Sequence, residues 1–436
     1  VNSPHPLPDA GDRERTLAWV DTELAGLWSG PLAGSARFRG GAGAAAAALA
    51  TFDVAGYASR RNEVAPVARR GASGLSPWIR HGLLTLPEVW HAVADGPRRD
   101  VTKFRDELRW AEYARHVYAR LGPALGEDLR ASRSASAARD RGDATGGPWT
   151  DDPWPRHMAC MDLAVGELET DGWVVNQARM WLASQWSVRA GRAWREGEDR
   201  FFRHLLDGSR AANRLGWQWT VGTGTGRPYG FSRWQVEKRA PGTCASCRHA
   251  SDCPIGHRPT ADDPVSVEAD RRLYTDPDPE TTAGPRTAHR APGPADPAGG
   301  PGGAGGAGGA EAVWLTAESL GDTDPALAAR PDLPAVFVFD RALLGRLQLS
   351  AKRLVFLVES LADLAARRPV EVAVGDPVAV LAGRRLATTF APVPGWRRRA
   401  DRLDLAEIHP WPWLVRPDGG SLSSFSAWDR RTGLRP

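Results

Sequence analysis

Lysine is nearly missing from this chain: three occur in 436 residues (Lys103, Lys238 and Lys352), so almost all positive charge is arginine. A GC-rich genome explains that bias, as does selection for guanidinium forks that grip phosphate. Cysteine is scarce too, at four, which excludes a secreted disulfide scaffold. No run of 18 apolar residues occurs, so no membrane span is expected. The opening VNSPHP lacks the basic-then-apolar pattern of a signal peptide, and a soluble, cytoplasmic protein is expected. Charge of one sign is also lacking. The 56 basic and 52 acidic residues leave +4, which excludes a polybasic tail but not a local basic groove. Against these shortages stand 19 tryptophans to five tyrosines, 47 glycines and 35 prolines. With 42% hydrophobic residues the chain can build two domains with cores of their own.

From Asp276 to Ala310 there is no Val, Ile, Leu, Met, Phe, Trp or Tyr, and 17 of the 35 positions are Gly or Pro. Such a stretch cannot bury enough apolar surface to offset its ordering entropy and reads as a flexible tether, its ends roughly 30–35 Å apart. The expected division is therefore 1–275, a linker over 276–310, and 311–436. The first part reads as helical. Leu108, Tyr113, Val117 and Leu121 recur at helical spacing, and Met161, Leu163, Val165 and Leu168 do so more loosely. Ser or Thr followed by Pro in GLSPW (74–78) and LTLPE (84–88) marks helix starts. The second part carries short β-rich runs at 313–315, 335–339 and 370–374. Between the last two lies an amphipathic helix, 350–364, with Ser350 as its N-cap. Strands alternating with helices predict a parallel α/β sheet. The fold class expected is multidomain, an all-helical domain followed by a Rossmann-like α/β domain.

Three motifs lie in the first part: GWVVNQARM at 172–180, AWREGE at 193–198 and LDGSRAANRLGWQW at 206–219. In this order they resemble the GWxxNxxRM, WxxGE and DGDxAxNxxxWQW elements of the photolyase/cryptochrome family, whose helical domain binds FAD. Tyr57 with Arg61, and SGLSPW at 73–78, are similar to the family elements that hold the FAD phosphates. Hydroxyls and helix-start N–H groups suit a pyrophosphate on chemical grounds as well. ELRWAEY at 107–113 resembles the helix whose Glu and Trp meet a flipped pyrimidine dimer. Residues i and i+3 share one helical face, as a single pocket needs.

The resemblance implies roles. Tyr57, Ser73, Leu75, Ser76, Asn176, Arg179, Asp207, Ser209 and Asn213 would bind FAD, with Asn213 facing N5 and Arg179 paired to Asp207. Glu107, Trp110, Asn176, Met180 and Asn213 would form the catalytic set around the lesion. Trp217 and Trp194 match the first two members of a photoreduction chain, with Trp154 or Trp149 as its distal member. The chain departs from the family pattern at Ala72, Ala111 and Ser209, which replace a Thr, an Arg and an Asp. Val174 and Val175 stand where the (6-4) enzymes carry an acid, which favours cyclobutane-dimer chemistry.

Cys160, Cys244, Cys247 and Cys253 (followed by Pro254) form a C-x2-C-x5-C-P run with one upstream member. This resembles the ligand set of a [4Fe-4S] cluster, such as that of the iron–sulfur bacterial members of the family. Zinc on four thiolates, disulfides and inert thiols are the other chemistries open to four cysteines. VWLTAESLGDTDPAL at 313–327 is similar to the family's opening VWFRRDLRLxDNPAL, which belongs to the antenna domain and there comes first. The order here implies a circular permutation. The activity implied by the resemblance is blue-light-driven repair of cyclobutane dimers by a monomer acting on UV-damaged DNA. A cryptochrome-like photoreceptor is the alternative, and the antenna pigment is not legible.

Overall fold

The computed structural model describes residues 5–130, 152–257, 270–290 and 309–434. Trp149 lies outside the described residues. Two compact units emerge, interleaved along the chain: one of residues 1–51, 77–89 and 277–419, the other of 52–76, 90–276 and 420–436.

The first unit is α/β. Its strands are β1 (Trp28–Ser29), β2 (His289–Arg290), β3 (Ala312–Leu315), β4 (Ala335–Asp340), β5 (Leu349–Ser350), β6 (Val370–Gly375), β7 (Leu386–Thr389) and β8 (Leu405–His409). Six of them form one sheet in the order β2-β8-β7-β3-β4-β6. Its pairs are parallel except β2–β8 at the edge. The three β-rich runs read from the sequence are β3, β4 and β6, and near-continuous apolar strands are what a sheet covered on both faces requires. Trp314, Val336, Val338, Phe390 and Trp396 build the core on one side.

The expected helix forms as Ala351–Ala365. Ser350 sits at its N-cap, but its hydroxyl makes no capping bond and has no partner among the described residues. Nor is the polar stripe of this helix exposed. Arg13 Nε donates to Glu359 Oε1 at 2.8 Å, Gly40 N to Glu359 Oε2 at 2.8 Å and Ala42 N to Asp363 Oδ2 at 2.8 Å. A Cβ on Gly40 would overlap the Phe356 carbonyl, so the close approach needs glycine. Together with the parallel pairing of β1 and β5, these bonds place residues 1–51 in the α/β unit rather than in a helical domain of 1–275.

The expected linker is corrected over residues 276–290, while 291–308 lie outside the described residues. Residues Pro279–Ala283 are helical and β2 pairs with β8, so 276–290 belongs to folded structure. Asp278 caps that helix by accepting from Thr281 N at 3.2 Å, a local signal that the Gly/Pro count obscures.

The second unit is helical. Its long elements are Arg98–Leu121, Ala159–Asp171, Asn176–Ser184, Trp194–His204 and Arg210–Val221. Leu108, Tyr113, Val117 and Leu121 are all buried, as their spacing predicts. Gly172, at φ +69°, closes Ala159–Asp171 in the left-handed region, which lets the chain turn directly into Asn176–Ser184. The C-terminal helix Phe425–Thr432 belongs here and not to the sheet: Tyr113 Oη donates to Leu422 O at 2.7 Å and Trp428 Nε1 to His116 Nδ1 at 3.0 Å. Among the described residues no helix is long and apolar enough to cross a membrane.

Candidate flavin site and cysteine cavity

Asp207 lies just before the helix Arg210–Val221, nearly buried. Its Oδ2 accepts from Arg179 Nη2 at 2.7 Å and from Ser76 Oγ at 2.6 Å, and Ser76 Oγ in turn accepts from Trp173 Nε1 at 2.9 Å. Arg179 is held from its other edge by Val174 O at 2.9 Å. Thus residues from three separate motifs meet at one carboxylate. The remaining polarity is unmatched: Asp207 Oδ1 and Asn213 Nδ2 are buried with no partner among the described residues. Buried polar atoms are rarely left so unless a ligand completes them. An acceptor and an amide donor fit the ring edge of a flavin.

Other expected FAD contacts are distributed differently. Leu75 is fully buried, and Ser73 Oγ accepts from Leu75 N at 3.3 Å, fixing the turn before Ser76. Tyr57 packs edge-on against Phe104 at 5.0 Å, and burial pushes its phenol well up, so it stays protonated. Ser209 is the N-cap of Arg210–Val221 without a side-chain capping bond. Asn176 Nδ2 donates to Met180 Sδ at 3.8 Å across one helical turn.

The Glu107–Trp110 pair occupies one face of Arg98–Leu121, but both members are engaged. Glu107 Oε1 accepts from Arg61 Nε at 3.2 Å and from Lys103 Nζ at 2.9 Å. Arg61 is therefore partnered with a carboxylate. Trp110 is 37% exposed, and Phe425 stacks flat on it at 3.8 Å with 10° between the ring planes.

Trp217, Trp194 and Trp154 are all buried. Trp154 meets Trp186 edge-on at 5.1 Å, and Phe201 lies 6.2 Å from Trp154 and 6.0 Å from Trp217. Gly197 of the AWREGE motif explains the packing, because a Cβ there would overlap both Trp217 and Trp186. Trp186, in the π-helical turn Gln185–Arg189, is not among the residues expected from the sequence. Such turns often mark functional sites, but nothing in the local sequence announces this one. Glu198 of the same motif is fully buried between Arg210 at 2.5 Å and Arg214 at 3.6 Å. Desolvation nonetheless holds its carboxyl above the usual range.

All four cysteines are free and line one small pocket, with Met158, Arg233 and His249 among its other walls. Cys160 lies in the first turn of Ala159–Asp171 and the other three follow Arg233–Arg239. Cys247 Sγ accepts backbone N–H groups of Ala159 and His249, each at 3.5 Å. Burial and the neighbouring thiols push Cys160 up to about 12. Among the described residues no three His, Cys, Asp or Glu side chains are placed to hold a single metal ion.

Residues 104–239 match the FAD binding domain of DNA photolyase. The deoxyribodipyrimidine photo-lyase of Synechococcus is 30% identical over 179 residues, 39% of this chain and 36% of that protein. That of one Thermus thermophilus strain is 30% identical over 227 residues, 51% of each chain. A bacterial class III photolyase from Agrobacterium tumefaciens overlaps 53% of this chain and 46% of its own, at 23% identity and a TM-score of 0.35. The chain spans between about a third and a half of the length of the curated relatives it matches. Residues 104–239, which carry Arg179, Asp207 and Asn213, are the part of the chain that is similar to the FAD-binding domain of the photolyase/cryptochrome family.

Proposed function

We propose that this protein is a light-driven DNA repair enzyme that uses FAD to split cyclobutane pyrimidine dimers. The observation that carries the reading is the Ser76–Asp207–Arg179 network, which leaves Asp207 Oδ1 and Asn213 Nδ2 for a ligand. Trp217 is one helical turn from Asn213, on the same face. When bound and reduced, FAD would supply one electron to the dimer on absorbing blue light, and take it back after the ring opens. The protein's part is placement. Arg179 and Asp207 would orient the ring edge, and the Asn213 amide would hydrogen-bond it. Asn176 and Met180 would form the rim of a pocket that receives the dimer flipped from the stack, with Glu107 and Trp110 as its polar and stacking contacts. Arginines would grip the phosphates of damaged DNA.

The four thiols around one cavity support a [4Fe-4S] cluster. A cluster spreads its ligands over several irons, whereas a zinc ion needs four at one centre. The position of the flavin cradle upstream of most of the sheet supports the permuted domain order.

A second reading, a flavin photoreceptor without turnover, is favoured by one observation: Phe425 already covers Trp110, and Glu107 already holds two cations. The deciding experiment illuminates the purified, fully reduced protein with an oligonucleotide carrying a thymine dimer. Restored thymines are expected. Unchanged dimers with flavin bound and reduced would leave the photoreceptor reading.

A further inference from the structure

Two buried indoles of the helical unit end on backbone carbonyls, which do not take up a proton, and a third ends on no partner among the described residues. Trp154 Nε1 donates to Leu182 O at 2.8 Å and Trp186 Nε1 to Ala193 O at 3.0 Å, and the third is Trp217. Trp194 differs. Its Nε1 donates to Asp128 Oδ1 at 2.8 Å. A peptide carbonyl only accepts a hydrogen bond, whereas a carboxylate is also a Brønsted base. Loss of an electron turns the indole N–H into an acid of roughly carboxylic strength, so at Trp194 acid and base stand in contact beforehand.

The loop carrying Asp128 is fixed in place. Gln218, fully buried beside Trp217, donates to Leu125 O and to Glu127 O, both at 3.0 Å, and accepts from Leu129 N at 2.7 Å. Arg195 Nη1 adds a bond to Gly126 O at 2.7 Å. The Arg195 guanidinium also lies 5.4 Å from the Trp194 ring centre. A cation there raises the energy of a positive ring, and losing the N–H proton removes that charge.

We infer that Asp128 is the proton acceptor for oxidised Trp194, so that a hole reaching this ring is trapped in place as a neutral radical. The inference rests on the flavin reading above; the oxidant would be the same FAD in its oxidised, light-excited form, taking one electron through Trp217. The balance is simple. One electron leaves Trp194 for the oxidised Trp217 on the neighbouring helix. The Trp194 N–H bond breaks with its electron pair left on nitrogen, and an O–H bond forms on Asp128. A one-electron reductant such as an external thiol, with return of the proton, resets the pair.

The test is flash excitation of the flavin-loaded full chain with time-resolved absorption, which separates cation from neutral indole radicals. Wild type should show the neutral radical, and Trp194→Phe should lack it. Asp128→Asn keeps an acceptor at Oδ1 but removes the base. It should slow conversion to the neutral radical by about a hundredfold, leaving a cation that recombines early, while Asp128→Glu restores the wild-type signal. Bound-flavin content shows that each variant is folded. If Trp194→Phe abolishes the radical yet Asp128→Asn matches wild type, the role of Asp128 is overturned while the indole path stands. If the protein binds no flavin, the flavin reading fails and this inference with it; if the flavin-loaded wild type yields no indole radical, this inference alone is overturned.

Discussion

Arg179 and Asp207 meet at 2.7 Å, although 28 residues and a complete helix separate them in the chain. The contact joins two motifs that local sequence alone leaves unrelated, and it sets the polarity of the flavin cradle. Removing Arg179 strands a nearly buried carboxylate. Arg179→Ala should therefore lose about 2 kcal/mol of stability and purify with little flavin, as flavin absorbance per mole of protein will show. Asp207→Asn, which keeps a hydrogen-bond acceptor for Ser76, should retain more flavin than Arg179→Ala.

Gly197 is where two indoles close on a backbone without a side chain. Gly197→Ala overfills that space, and a cost of about 1–3 kcal/mol is expected in chemical denaturation. The variant should also alter near-ultraviolet circular dichroism, because Trp186 and Trp217 must shift.

Asp324 caps the helix Pro325–Ala329 from a fully buried position, and three bonds converge on its Oδ1, from Ala326 N, Leu327 N and Thr389 Oγ1. Burial raises its carboxyl to about 6. A raised acid binds its proton more tightly folded than unfolded, so its contribution is present at low pH and is lost as pH rises from near 4 through about 6. Asp324→Asn preserves the Oδ1 bonds without the charge. It should match wild type at pH 4 and exceed it by about 3 kcal/mol at pH 8. Denaturant melts at the two pH values measure this directly, and an equal difference at both would remove the buried charge as the cause.

Phe425 shields one face of Trp110. Phe425→Ala should increase acrylamide quenching of tryptophan fluorescence. Under the repair reading it should also strengthen binding of a dimer-containing oligonucleotide, since the stacking face is freed. Weakened binding would make Phe425 part of the site rather than its cover.

The four-cysteine cavity gives a compositional prediction. Protein purified without oxygen should carry about four irons and four acid-labile sulfides, and Cys247→Ser should lower both. Equimolar zinc without sulfide would replace the cluster by a single ion.

Much of the cradle is legible because its chemistry is written in contiguous strings. The motifs at 172–180, 193–198 and 206–219 mark Arg179, Asp207 and Asn213 directly, and the apolar runs mark β3, β4 and β6. What escapes the sequence depends on contacts distant along the chain. Residues 1–51 have no periodicity that announces a role in the α/β unit. Their place is set by Arg13 on Glu359 and by β1 on β5, partners more than 300 residues away. Trp186 and Asp128 escape for the same reason, since neither lies on a recognisable spacing. The polar stripe of Ala351–Ala365 signals solvent, yet it is covered by the chain's own beginning. The Gly/Pro stretch misleads in the opposite direction, its first 15 residues holding a capped helix and an edge strand.

That edge strand changes the engineering of the chain. Both ends of the glycine-rich stretch, β2 and β3, enter the same sheet. The segment is therefore a closure within one unit rather than a bridge whose reach must match a gap between two. A protease cut inside 291–308 should leave two fragments that co-purify through the sheet they share, which makes this segment a natural point at which to express the protein as two separate polypeptides.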